Sequence, residues 1–212
     1  MKRGSARSIA KNSTKRIALI AVMAATLIGG KIALASLPNI EIVTLLCALY
    51  GYVLGPIGIA SIGIFIPCEI LIWGPGPWVV SYCVYWPLVC VVFYILRKAQ
   101  VKNRWLLTLT AAVLTVFFGF FAGLVDVGLF MGFYDNFWLR FSIYYMRGIG
   151  YCAIHVACNI ALFSTAFVPI KQVLVRQYAK LKLTPDIKPR RSAASDEAAL
   201  PLSRECAQGR EE

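Results

Sequence analysis

The chain has 212 residues, of which 59% are hydrophobic and 15% charged, and its formal net charge is +12. So apolar a composition excludes an ordinary soluble domain, and the length leaves room for one membrane domain and a polar tail. The positive charge is not a nucleic-acid footprint, because it gathers in short flanking segments rather than on one folded face.

Residues 1–16 form a basic segment in which Lys2, Arg3, Arg7, Lys11, Lys15 and Arg16 precede the first apolar stretch. Arg16 to Leu37 is the first expected span. Ala21, Ala25 and Gly29 recur every fourth residue along it. Small residues at that spacing either pack inside a bundle or let another helix dock closely in a membrane. Ala33-Leu34-Ala35 before Ser36 has the small residues of a signal-peptide cleavage site, but Lys31 interrupts a long apolar run, so the span is expected to be retained.

Asn39 to Leu54 is a second apolar run. Taken from Glu41 it makes a helix of about 21 Å, short of the roughly 30 Å hydrocarbon core. Either protein covers its ends, or residues 41–73 form a re-entrant hairpin. Gly55-Pro56 marks a turn, and Ile57 to Trp73 is a third run with a kink expected at Pro67. Gly74-Pro75-Gly76-Pro77 breaks the chain before a fourth span, Trp78 to Leu96. A basic loop follows with Arg97, Lys98, Lys102 and Arg104. Trp105 to Val125 is the fifth span, Asp126 to Arg147 a mixed, aromatic-rich loop, and Gly148 to Ile170 the sixth span. Nine of the remaining Lys and Arg residues lie at or beyond Lys171, and only Lys31, Arg140 and Arg147 fall elsewhere.

Positive loops stay cytoplasmic. The pattern therefore predicts an all-α, multi-pass cell-membrane protein: a six-transmembrane-helix bundle over 17–178 with both termini cytoplasmic. A disordered cytoplasmic tail is expected over 179–212, which is charged and contains Pro185, Pro189 and Pro201. Of seven cysteines, all but Cys206 sit in apolar runs, which fits free thiols rather than a disulfide framework.

The candidate site residues are polar or aromatic groups in an apolar setting. Asn39 and Glu41 suit an N-cap and first turn of the second helix; a carboxylate there is equally an acceptor for a ligand. Glu69 lies inside the third span, where a carboxylate is costly and points to function. Its structural alternative is an ion pair, Lys31–Glu69 or Lys31–Glu41. Trp73, Trp78, Tyr82, Tyr85 and Trp86 cluster around one outer loop, with Tyr134, Phe137, Trp138, Tyr144 and Tyr145 in another. They serve as an interfacial belt or as a stacking surface for a planar ring. Arg140 and Arg147 can grip an anion or pair with Asp126 and Asp135. On the sixth helix, Cys152, His155 and Cys158 spread over about 120°, a poor geometry for three metal ligands. A hydrogen-bonded His155–Asn159 pair facing the interior is the favoured reading, with no metal or other cofactor. No Walker loop and no nucleophile elbow occurs, so no enzyme activity is expected.

Together these features resemble the substrate-binding S component of an energy-coupling factor (ECF) vitamin transporter, over about residues 15–175. The resemblance is carried by Leu37-Pro38-Asn39-Ile40-Glu41-Ile42-Val43-Thr44, the Ala21-x3-Ala25 series, Trp73-Gly74, and Gly148 through His155-x3-Asn159. It implies a six-helix bundle that captures a vitamin or related micronutrient from outside. The site would be built from Leu37–Glu41, Gly74–Trp78, Asp126–Arg147 and the later helices. It also implies docking through Ala21 and Ala25 on a transmembrane coupling subunit, driven by two ATPase subunits. Nickel- and cobalt-specific members carry a histidine near the N-terminus, which this chain lacks. The competing expectation is a self-contained ion-coupled secondary transporter or channel, using Lys31, Glu41, Glu69 and Asp126 to couple protons.

Overall fold

The structure is a computed structural model that describes residues 2–181, with side-chain surroundings from residue 12 onward. The tail expected over 179–212 lies, beyond Leu181, outside the described residues. Every regular element among the described residues is helical: α1 (Lys2–Ala33), α2 (Val43–Leu54), α3 (Ile57–Trp73), α4 (Trp78–Lys98), α5 (Arg104–Leu124), α6 (Phe137–Thr165) and α7 (Phe167–Lys180). A π-helical turn, Val125–Phe130, extends α5.

Four segments are long and apolar enough to cross a membrane: Asn12–Ala33, Trp78–Lys98, Arg104–Phe130 and Phe137–Thr165. α2 and α3 are apolar but shorter. These helices fit a membrane-embedded protein. α2 is the extreme case, with 12 residues, or about 18 Å at helical rise. All of its residues are buried, because α1, α3, α4, α6 and α7 surround it. A short helix is tolerable at membrane depth when neighbouring protein, not lipid, meets its ends.

The two ends of α2 are closed by different chemistry. At its C-terminus the Arg97 guanidinium donates to the carbonyls of Val53 and, at 2.8 Å, Tyr52. A cation there satisfies carbonyls left free at the helix end and suits the helix dipole. Tyr52 also donates to the Val101 carbonyl at 2.8 Å, which ties α2 to the α4–α5 loop. Midway, Gly51 lies against α4 so closely that a Cβ would fall 2.0 Å from the Cys90 carbonyl oxygen. Around this contact Leu45, Leu49, Phe65, Tyr85, Phe93, Phe163 and Phe167 form a close-packed core. In an apolar solvent such packing, rather than expulsion of water, holds helices together.

Three expected boundaries move. The second helix begins at Val43, not at Asn39, because Asn39 takes a left-handed conformation (φ 58°) that turns the chain before the helix starts. The aromatic-rich loop is mostly helix: only Met131–Asn136 separate the π-helical turn from α6. Nothing between Phe137 and Gly148 breaks a helix, and the aromatic composition disguised that continuity. The sixth span expected at Gly148–Ile170 is instead part of α6, which ends at Thr165 and is followed by α7. The third helix continues through Pro67.

Candidate functional site

The bundle has a basic end and an opposite end. α2 and α4 finish, and α3 and α5 begin, at the basic end near Arg97. At the opposite end, the segment joining α1 to α2 meets the first turns of α4, the later part of α5 and the middle of α6. There a cavity of about 210 Å³ is lined by Lys31, Leu34, Ala35, Leu37–Val43, Tyr82, Trp86, Phe118 and His155, with residues 42 and 36 not taking part.

Glu41 is the hub. Its carboxylate accepts from the Thr44 backbone N–H at 2.9 Å and from the Thr44 hydroxyl. It therefore caps α2 from two residues outside the helix, a role expected of Asn39; the residue at the cap position itself, Ile42, makes no side-chain cap bond. Glu41 is also not in the first turn, where it was expected. The same carboxylate lies 3.0 Å from His155 Nε2, and its backbone carbonyl receives the Cys158 thiol at 3.8 Å. Burial pushes the Glu41 carboxyl up, but the hydrogen bond and charge of His155 and the bonds from Thr44 outweigh it and hold the group below the usual carboxylate range. Glu41 thus presents a negative charge to the cavity.

Lys31 settles which ion pair forms. Its ammonium pairs with Glu69, donates to Tyr82 OH at 3.1 Å, and lies over the Tyr82 ring at 4.4 Å. Glu69 is fully buried, and its Oε1 has no partner. It does not line the cavity; it anchors the lysine that does. The cation at this end is therefore already neutralised.

The aromatic wall is a ladder along α4. Trp78 and Tyr82 lie 5.0 Å apart and Tyr82 and Trp86 5.4 Å apart, centroid to centroid. Phe118 of α5 stacks on Trp86 at 6.1 Å and meets the His155 ring edge-on at 5.8 Å. Trp86 is 3% exposed and its Nε1–H is buried without a partner. Phe118 had no distinguishing signal in the sequence, lying in an unbroken apolar run. Thr44 and Thr115, which complete the polar interior with Tyr85, carried no signal of their own either.

The structure therefore brings Asn39, Glu41, Tyr82, Trp86 and His155 to one cavity, with Glu69 and Trp78 behind Lys31. It leaves out Trp73 and Arg147, which are exposed. Arg140 donates to the Gly132 carbonyl, so neither arginine pairs with Asp126 or Asp135 among the described residues. His155 and Asn159 are both buried but do not bond to each other. Asn159 donates to Thr115 Oγ1 of α5 at 2.9 Å, while His155 is taken up by Glu41 at 3.0 Å. Among the described residues no group of three His, Cys, Asp or Glu side chains is placed to hold a metal ion.

Compared with known proteins, the chain matches no family model, no curated protein and no solved structure. The functional reading rests on the site itself.

On α1, the small-residue face is not used internally. Ala21, Ala25 and Gly29 are exposed, whereas Met23, Ala24 and Leu27 turn inward. A Cβ on Gly29 would meet nothing within 4 Å. Internal packing thus does not explain the stripe.

Proposed function

We propose that this chain is the substrate-capturing S component of an ECF-type importer: a six-span cell-membrane protein with its termini and basic loop in the cytoplasm. The observation that carries the reading is the cavity at the end opposite the basic loop, walled by Tyr82, Trp86 and Phe118 and floored by Glu41 and His155. By the charge rule, that end faces outward. A concave, mostly aromatic pocket with a few convergent polar groups is what small-molecule capture requires. α2 and α3 complete the six crossings as short, protein-sheathed helices.

The exposed Ala21–Ala25–Gly29 face is the proposed seat of the coupling subunit, with two ATPases supplying energy. Ala21→Trp with Ala25→Trp should abolish uptake and weaken assembly while leaving ligand affinity of the isolated chain unchanged. Glu41→Ala should do the reverse: affinity falls about 10- to 150-fold, as a lost charged hydrogen bond of roughly 1.5–3 kcal/mol requires, and assembly survives. Normal transport by the double-tryptophan variant would remove the docking assignment. The buried Lys31–Glu69 pair favours the second reading, an ion-coupled secondary transporter. Co-purification decides between them, because only the first reading expects a coupling subunit and two ATPases to come down with the chain.

A further inference from the structure

The cavity has a neighbour. A second space of about 230 Å³ shares Asn39, Phe118 and His155 with the first and extends to Asp126, Tyr144 and Gly148. Each space alone is the size of a ring system rather than of a whole ligand. Asp126 sits in the π-helical turn, a distortion that often marks functional positions. Its Oδ2 accepts from Tyr144 OH at 2.6 Å, and no lysine or arginine pairs with it among the described residues.

The charge balance of the two spaces selects a ligand class. Glu41, already engaged by His155 and Thr44, faces the first, and Asp126, which accepts from a neutral Tyr144 hydroxyl, faces the second. Lys31, the one Lys or Arg among the described residues that lines either, is held by Glu69. Tyr82, Trp86 and Phe118 give the first space a wall of rings on which a planar ring can stack. The geometry points to one bipartite site for a two-part ligand. Its planar ring packs against Tyr82, Trp86 and Phe118 in the first space, and its cationic or donor-bearing arm passes His155 to reach Asp126 in the second. An anionic arm is disfavoured. This deepens the substrate-binding reading above and rests on it.

The full chain in detergent can be titrated with two probes that share a ring and differ in the charge of the arm, pyridylethylamine and pyridylpropionate, read by tryptophan fluorescence. The amine should bind at least about tenfold more tightly, and Asp126→Asn should erase most of that preference. Gly148→Leu should abolish amine binding without lowering the unfolding temperature. A Cβ at Gly148 meets nothing within 4 Å, so the new side chain fills the second space, and leucine is the better helix former. A propionate that binds as well as the amine, or a Gly148→Leu variant that binds normally, overturns the inference. Native mass spectrometry of the purified chain separates the two levels. A retained anion overturns the ligand class and leaves the capture reading standing, whereas no retained molecule and no binding of either probe overturns both.

Discussion

Towards the basic end, α2 and α4 meet backbone to backbone, whereas at the cavity end the rings of α4 line an open space. Gly51 admits the Cys90 carbonyl, and Arg97 closes the last carbonyls of α2. One end of α4 further on, Tyr82 and Trp86 turn toward α1 and α5, and space opens around Glu41. Among the described residues the buried side-chain polar atoms left without partners are Glu69 Oε1, Trp86 Nε1, Arg140 Nε and Asn159 Oδ1, the first three on residues of the cavity end. The contrast shows a division of labour along the same helices: small residues and a capped terminus supply rigidity, and bulky rings with under-satisfied polar groups supply a site.

Three substitutions sharpen that contrast. The largest effect is expected at the cavity end, from Lys31→Met. It strands the fully buried Glu69 carboxylate, and breaking a buried ion pair from one side costs about 3–5 kcal/mol. Replacing Glu69 with Leu in the same variant should recover most of the loss. Thermal unfolding in detergent measures both, and a Lys31→Met protein as stable as the wild type would mean that Glu69 is not held by the lysine.

Gly51→Val comes next. It drives a branched side chain into the α4 backbone, and overpacking of this kind costs about 1–3 kcal/mol. Its signature is lower stability with ligand affinity retained in the folded fraction; an unperturbed unfolding temperature would show that α2 and α4 do not touch there.

The smallest effect belongs to Arg97→Ala. Losing a cation from a helix C-terminus costs roughly 0.3–2 kcal/mol, and ligand affinity should not change, since Arg97 lies at the far end from the cavity. If affinity fell as sharply as stability, the two ends would be coupled rather than separate.

Much of the architecture was legible in the chain. Apolar run length and flanking charge mark where helices of membrane-spanning length begin and end, because hydropathy is a sum over neighbouring residues and needs no knowledge of contacts. For the same reason α3, α4 and α5 appear close to their expected limits. The aromatic-rich loop expected at Asp126 to Arg147 was misjudged because aromatic residues suit both an interfacial belt and a helix, and no breaker stands between Phe137 and Gly148 to separate the two. At the site, Glu41, Tyr82, Trp86 and His155 announced themselves as polar or amphipathic groups in apolar runs, whereas Phe118 did not.

What the sequence determined alone is thus the all-helical, apolar character of the chain, the charge asymmetry between the two ends, and the presence of costly polar groups that must find partners. Which partners they find was decided by tertiary structure. Lys31 could pair with Glu41 or Glu69, and His155 with Asn159 or another element. Only packing α1 against α3, and α6 beside the start of α2, assigns Lys31 to Glu69 and His155 to Glu41. Pairing depends on distances between residues far apart in the chain, such as the 114 positions separating His155 from Glu41, and local composition carries no record of them.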